Sequence, residues 1–310
     1  MPTKRGRGQR RPIRYLLALL AVFTTACAIF VPWVVRRART QREITLLVLQ
    51  SGGRVSLEGG RGGLLGRLAS HSKDLLLKAL PIEYVERVGC VEFDSSPPPI
   101  AVLVRLPDLP GGLPELVLKN SRVGDAELAC LSRIDSLRLL QVSRTQISDN
   151  GLRIIGGLRS LVELQLYGST FSNAGLASLV GLDRLEVLRL GQSSITDQGL
   201  LHIAALPRLA YLSIPETNAT GGGLRPLRGV PRLAVLDLSD DRIGDADLVY
   251  IEGLNRLESL CLDNTVVSDV GLGRLRGLTT LRTLRLYGTH VTKRGAEKLR
   301  ESIPNCNIEL

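Results

Sequence analysis

Leucine returns through this chain with a period of 24 residues. The first position of each unit is leucine in eight successive copies, Leu113, Leu137, Leu161, Leu185, Leu209, Leu233, Leu257 and Leu281. Three residues later come Leu116, Leu140, Leu164, Leu188, Leu212, Leu236, Leu260 and Leu284, and two further on Leu118, Val142, Leu166, Leu190, Ile214, Leu238, Leu262 and Leu286. Apolar side chains at alternate positions are what a short strand buries on one face, so each unit opens with a strand. The period then changes. Leu152, Ile155 and Leu158, or Leu200, Ile203 and Leu206, fall three apart, which predicts a short helix with one buried stripe. Strand and helix returning in register predict an α/β solenoid, with parallel strands on a concave face and short helices on the convex one.

Strand and helix are joined by an apolar anchor (Val123, Ile147, Phe171, Ile195, Ala219, Ile243, Val267, Val291) and a turn such as Ser148-Asp149, Thr196-Asp197 or Ser268-Asp269. The aspartate is expected to cap the helix by accepting hydrogen bonds from its unpaired N–H groups. Gly151, Gly175, Gly199, Gly223, Gly271 and Gly295 follow two residues later, where a missing side chain lets adjacent coils approach closely. A degenerate unit precedes the eight clear ones. Val88 to Phe93 fits the strand slot, Leu103, Leu106 and Leu109 fall on helical positions, and Pro97-Pro98-Pro99 replaces the turn. The repeats therefore occupy residues 88–304, and residues 305–310 form a strand-like C-terminal cap.

The unit L-x-x-L-x-L-x-x-T-x-I-T-D-x-G-L-x-x-L, nearly whole in Leu185 to Ile203 and Leu257 to Leu275, resembles the cysteine-containing subclass of leucine-rich repeats. That subclass is familiar from the recognition halves of F-box proteins and from bacterial, notably planctomycete, membrane-associated proteins. The resemblance covers about two-thirds of the chain. It implies a curved solenoid with a parallel sheet on its concave face, and it implies no reaction.

The N-terminus follows another pattern. Residues 1–14 carry six Lys/Arg and no acid, Tyr15 to Val35 contains no charge, and Arg36, Arg37, Arg39 and Arg42 come next. At about 1.5 Å per residue the uncharged run spans roughly 31 Å, the hydrocarbon thickness of a bilayer. This predicts a transmembrane helix over 15–35, with Tyr15 and Trp33 at the two interfaces. The apolar run is too long for a signal peptide and ends in a basic stop. Six basic residues before the span and four after it place the N-terminus in the cytoplasm and the repeats outside. Residues 36–50 read as a juxtamembrane helix with Ile44, Leu47 and Val48 on one side. Residues 51–87 read as an N-terminal cap containing a strand at Arg54 to Leu57, a glycine-rich loop at Gly59 to Gly66 and a helix at Asp74 to Leu80.

Charge narrows the partners. The net charge is +10, and because residues 1–42 hold ten Lys/Arg and no acid, the whole excess arises there. The solenoid is neutral overall, so the basic balance belongs to the membrane flanks and nucleic acid is not the expected partner. Nor do the residues assemble a catalytic constellation. His71, His202 and His290 fit no metal-ligand spacing, the cysteines are scattered, and no cofactor is expected. Cys261-Leu262-Asp263 matches the Cys-x-Asp of bacterial ligases linked to such repeats, but it falls inside a repeat strand.

What remains is the surface between the leucines. One outward column reads Val117, Gln141, Gln165, Arg189, Ser213, Asp237, Cys261 and Arg285; the next reads Lys119, Ser143, Tyr167, Gly191, Pro215, Ser239, Asp263 and Tyr287. Side by side on adjacent strands they make a polar strip, and Gln141, Gln165, Tyr167, Arg189, Asp237, Asp263, Arg285 and Tyr287 are its expected partner-binding residues. The expectation is a monomeric, non-catalytic, membrane-anchored repeat protein that binds another protein on its concave face. The alternative is the substrate-recognition subunit of an F-box-like ubiquitin ligase, which needs an adaptor-binding helical module that the short, apolar N-terminus does not contain.

Overall fold

The computed structural model describes residues 33, 35–57, 87–95, 97–168 and 170–310. Apart from Trp33 and Val35, the expected transmembrane segment lies outside the described residues, as do the glycine-rich loop and the helix at Asp74 to Leu80. Among the described residues no helix is long and apolar enough to cross a membrane.

Eleven strands form one sheet in chain order: β1 (Arg54–Leu57), β2 (Val88–Asp94), β3 (Glu115–Lys119), β4 (Leu139–Ser143), β5 (Glu163–Tyr167), β6 (Val187–Arg189), β7 (Tyr211–Ser213), β8 (Val235–Asp237), β9 (Ser259–Cys261), β10 (Thr283–Arg285) and β11 (Asn307–Glu309). β1 pairs antiparallel with β2, and every later pair is parallel. The 24-residue period fixes the register, so Leu188 faces Leu164 on one side and Leu212 on the other. The leucine columns are fully buried and merge into one continuous core. A slip of one residue would turn every leucine to solvent, which is why the register is strict.

The convex elements are less regular than the apolar spacing predicts. Units two and four carry α-helices (Asp149–Ile155 and Asp197–Ile203), while units one, three and seven carry one α-helical turn that tightens into 3-10 helix. Unit five has only a 3-10 segment, Gly221–Gly229 with Pro226 inside it, and unit six only Asp247–Tyr250. Residues three apart share a face in a 3-10 helix as well as in an α-helix, so the stripe is kept while the winding changes.

The aspartate column has a different role from the expected one. The helix caps are the hydroxyl residues before it: Ser148, Ser172 and Ser268 accept from the N–H two residues on, and Thr292 from Gly295. Each aspartate instead grips the next coil. Asp149 accepts from both the N–H and the hydroxyl of Ser172, at 2.7 Å each, and Asp269 does the same with Thr292 at 2.8 and 2.7 Å. Asp125, Asn173, Asp197 and Asp245 repeat the clasp. The glycine column exists to admit it. A Cβ on Gly151 would stand 2.5 Å from the Asp125 carboxylate, and one on Gly199 2.7 Å from Asn173 Oδ1.

This clasp is interrupted once. Unit five has Gly221 where its neighbours on both sides place Asp197 and Asp245, and unit six answers with Gly244 in the hydroxyl position and Asp247 in the glycine position. Asp247 fills the space over Gly221 and accepts from its own Gly244 N–H at 2.8 Å. Unit one solves its start in the same way, with Glu127 accepting from Gly124 N–H at 2.8 Å.

The N-terminal end of the core is covered by a helix over 35–50, whose Ile44 and Val48 are buried in that core with Leu47 packed against it. The chain then turns sharply into β1. A Cβ on Gly53 would meet the Phe93 ring and Val48 at 2.7 Å, so only glycine fits between them. At the other end, β11 adds a last parallel strand to β10.

Candidate functional site

Strand pairing assembles the outward columns as the period requires. Gln141, Gln165 and Arg189 are consecutive register partners in β4, β5 and β6, followed by Ser213, Asp237, Cys261 and Arg285. A further column, nearer the start of the strands, was missed: Leu139, Glu163, Val187, Tyr211 and Val235 are also register partners and half-buried. The signal was present, since the third residue of each L-x-x-L segment alternates with the buried leucine and must point outward.

That missed column supplies the partner of Arg189. Its guanidinium carbon lies 4.6 Å from the centre of the Tyr211 ring, in cation–π contact. Burial raises the phenol of Tyr211 above its ordinary value against the lowering effect of Arg189, so the ring is neutral near pH 7. Among the described residues Arg189 makes no ion pair, and its Nε has no hydrogen-bond partner. The flat face of this cation is thus occupied while its hydrogen-bonding edge is unused. Tyr167 lies on the adjacent strand, its ring folded over Gly191. A Cβ there would meet the ring at 2.8 Å and Pro215 at 2.9 Å.

Tyr167, Gln141 and Ser143 line an open depression of about 350 Å3 together with Lys119 and Pro215. Its rim is made by the residues that follow the strands, where every unit passes through left-handed backbone. Gly168, Gly288, Asn120 and Asn264 are suited to that conformation, but Arg144, Gln192 and Glu216 also hold it, with φ of 53°, 53° and 54°. All three of these strained residues border the depression.

The C-terminal half of the strip is internally satisfied. Asp237 accepts from Ser213 Oγ at 2.9 Å and from Ser239 Oγ at 2.7 Å. Asp263, expected on the open face, is buried: it accepts from Tyr287 N–H at 2.9 Å and forms an ion pair with Arg285 at 2.6 Å. Arg285 also reaches Glu309 and lies 5.7 Å from the Tyr287 ring. Gln165 and Gln141 bond to neighbours on their own strands, Glu163 and Ser143. The residues with unused bonding capacity are therefore gathered around units three to five.

Cys261 sits mid-strand in β9, and burial pushes its thiol up to about 12. A nucleophile needs the opposite shift. Cys90, Cys130, Cys261 and Cys306 are free thiols. Among the described residues no cluster of His, Cys, Asp and Glu has the arrangement of a metal site.

No protein-family model matches the chain, and no curated protein does. Solved structures do. An internalin (inlF) of Listeria monocytogenes aligns with a TM-score of 0.53 at 25% identity over 67% of this chain and 56% of its own, so the match spans little more than half of that internalin. An internalin C2 of the same species gives 0.49 at 22%, over 61% of this chain and 84% of its own. A plant peptide hormone receptor, RGFR1 in complex with RGF2, gives 0.41 at 16%, over 64% and 32%. Together with the eleven-stranded sheet and its leucine columns, the first of these likenesses identifies the fold: the chain is a leucine-rich-repeat solenoid.

Proposed function

We propose that this chain is a membrane-anchored leucine-rich-repeat protein that captures a protein partner on its concave face and carries out no chemistry there. The observation that carries the reading is Arg189, stacked on Tyr211 beside Tyr167 with no ion-pair partner among the described residues. Aromatic rings and arginine dominate the binding energy of protein interfaces, because they offer contact area and directional bonds at modest ordering cost. The anchor rests on the uncharged run Tyr15 to Val35 between basic flanks, and the excess of six basic residues before it over four after it supports an orientation with the repeats outside.

Two experiments test this. Partner capture by the purified full chain should fall by about 2 kcal/mol or more, roughly thirtyfold, in the double variant Tyr167→Ala/Arg189→Ala. The convex pair Arg153→Ala/Leu201→Ala should capture as the parent does. Equal loss in both pairs, or loss in the convex pair alone, moves the docking face elsewhere. Alkaline carbonate extraction should leave the chain in the membrane pellet, and its release would end the anchoring part of the proposal.

A further inference from the structure

Arg184, Arg208, Arg232 and Arg256 recur at the 24-residue period on four successive units. Each occupies the same place, the second residue of the turn that leads into β6, β7, β8 or β9. All four are exposed, and among the described residues none forms an ion pair or a hydrogen bond. They make a ladder of free guanidinium groups along the rim where the strands begin. Beside that rim runs the nearest outward column of the concave sheet, Val187, Tyr211 and Val235, which is half-buried and uncharged in the same units. In the earlier units this column is Glu115, Leu139 and Glu163, so it is not continuously uncharged there. The positive ladder and the apolar column thus coincide over units four to six.

We propose that this paired stripe is the seat of an acidic amphipathic helix of the partner, lying along the solenoid axis with its carboxylates on the arginine ladder and its apolar face on Val187, Tyr211 and Val235. The inference rests on the docking reading above and names its occupant. Spacing selects a helix. Rungs on neighbouring strands are about 4.8 Å apart, a helical stripe advances about 5.4 Å per turn, and same-face residues of an extended chain advance about 6.7 Å. Over the ladder's three intervals a helix drifts from the rungs by about 2 Å, within reach of a flexible side chain, whereas an extended chain drifts by about 6 Å, more than one rung. A polyanion or an anionic membrane would engage the arginines but has no use for the apolar column.

The probe is a synthetic helical peptide with glutamates at i, i+4, i+7 and i+11 next to a leucine stripe, with binding to the full chain followed by fluorescence anisotropy. It should bind, and weaken as salt is raised. An isomer of identical composition with the glutamates dispersed around the helix should bind about tenfold more weakly or worse. In the variant Arg208→Glu/Arg232→Glu the acidic helix should lose about tenfold or more, and a lysine-striped version of the peptide should now bind instead. Arg242→Glu/Arg276→Glu, on other surfaces, should change neither. Equal binding of the two isomers, or unchanged binding by the Arg208→Glu/Arg232→Glu variant, overturns the proposal, as does preference for heparin or anionic vesicles over the helix. If the helix fails while Tyr167→Ala/Arg189→Ala still abolishes partner capture, the docking face stands and only this occupant is wrong.

Discussion

Asp241 is the residue whose environment most opposes its chemistry. It is buried at a position where the other units have serine or threonine in sequence, and one carboxylate oxygen accepts from the Thr217 N–H and hydroxyl at 2.8 and 3.1 Å. Among the described residues the other oxygen has no partner. Burial, with Asp237 and Asp240 nearby, pushes its pKa up to about 6. The folded state therefore holds a proton that the unfolded chain has released, so Asp241 costs stability as pH rises from about 4 to about 6 and the cost persists above. Asp149 and Asp269 act oppositely: hydrogen bonds from Ser172 and Thr292 lower their values, and their contribution is lost as pH falls below the ordinary carboxylate range. Urea unfolding of the parent and of Asp241→Asn isolates the first effect. The difference between them should shift by about 1–2 kcal/mol in favour of the variant between pH 4 and pH 7, and a constant difference would mean that the carboxylate titrates normally. At this scale the chain displayed its columns but not their roles. Asp149 looked like a cap because the hydroxyl it holds lies in the next unit, 23 residues away, and adjacency in sequence does not reveal such a partner.

Among the elements, the strands were legible and the convex segments only in part. A strand that buries alternate leucines has one solution, whereas an apolar spacing of three is met by α-helix and 3-10 helix alike, and only Pro226 hinted at the choice in unit five. The interrupted clasp makes a test at this scale. Gly221→Asp alone should place a carboxylate where Asp247 already sits and cost about 1–3 kcal/mol. Adding Gly244→Ser and Asp247→Gly rebuilds the clasp found elsewhere and should recover most of the loss. Chemical denaturation of the single, double and triple variants gives the coupling, expected at about 1 kcal/mol or more. Additive effects would show that the swapped residues do not sense one another.

For the whole molecule, stability is a chain of neighbour contacts, so the centre of the array is where a lost methyl is felt on both sides. Leu212 is fully buried between Leu188 and Leu236, and Leu212→Ala should cost about 2–5 kcal/mol, read from the denaturation midpoint. A shift within error would mean that the solenoid does not transmit packing as its register implies. The solenoid itself could be deduced from periodicity alone, because eight copies in one register leave little freedom. The site was legible only in outline. Tyr167 and Arg189 stood out as large outward residues, but Tyr211 acquires meaning only when β7 is laid beside β6, and Asp263 leaves the open face only when Arg285 closes over it.

The clasp also sorts the units by what may stand beside them. Units two, three, four and seven both receive a carboxylate or amide from the preceding coil and offer one to the next. Units one and six offer without receiving, and units five and eight receive without offering, unit eight having Lys293 in that position. Along this edge the solenoid therefore reads as two sentences, units one to five and six to eight, each with its own opening and closing word. Gain of a unit by duplication is grammatical inside either sentence, whereas a second copy of unit five or six would leave a hydroxyl without its acceptor or drive a side chain into an occupied space. The permitted lengths of such an array are thus written not in its leucines but in which coils can follow which.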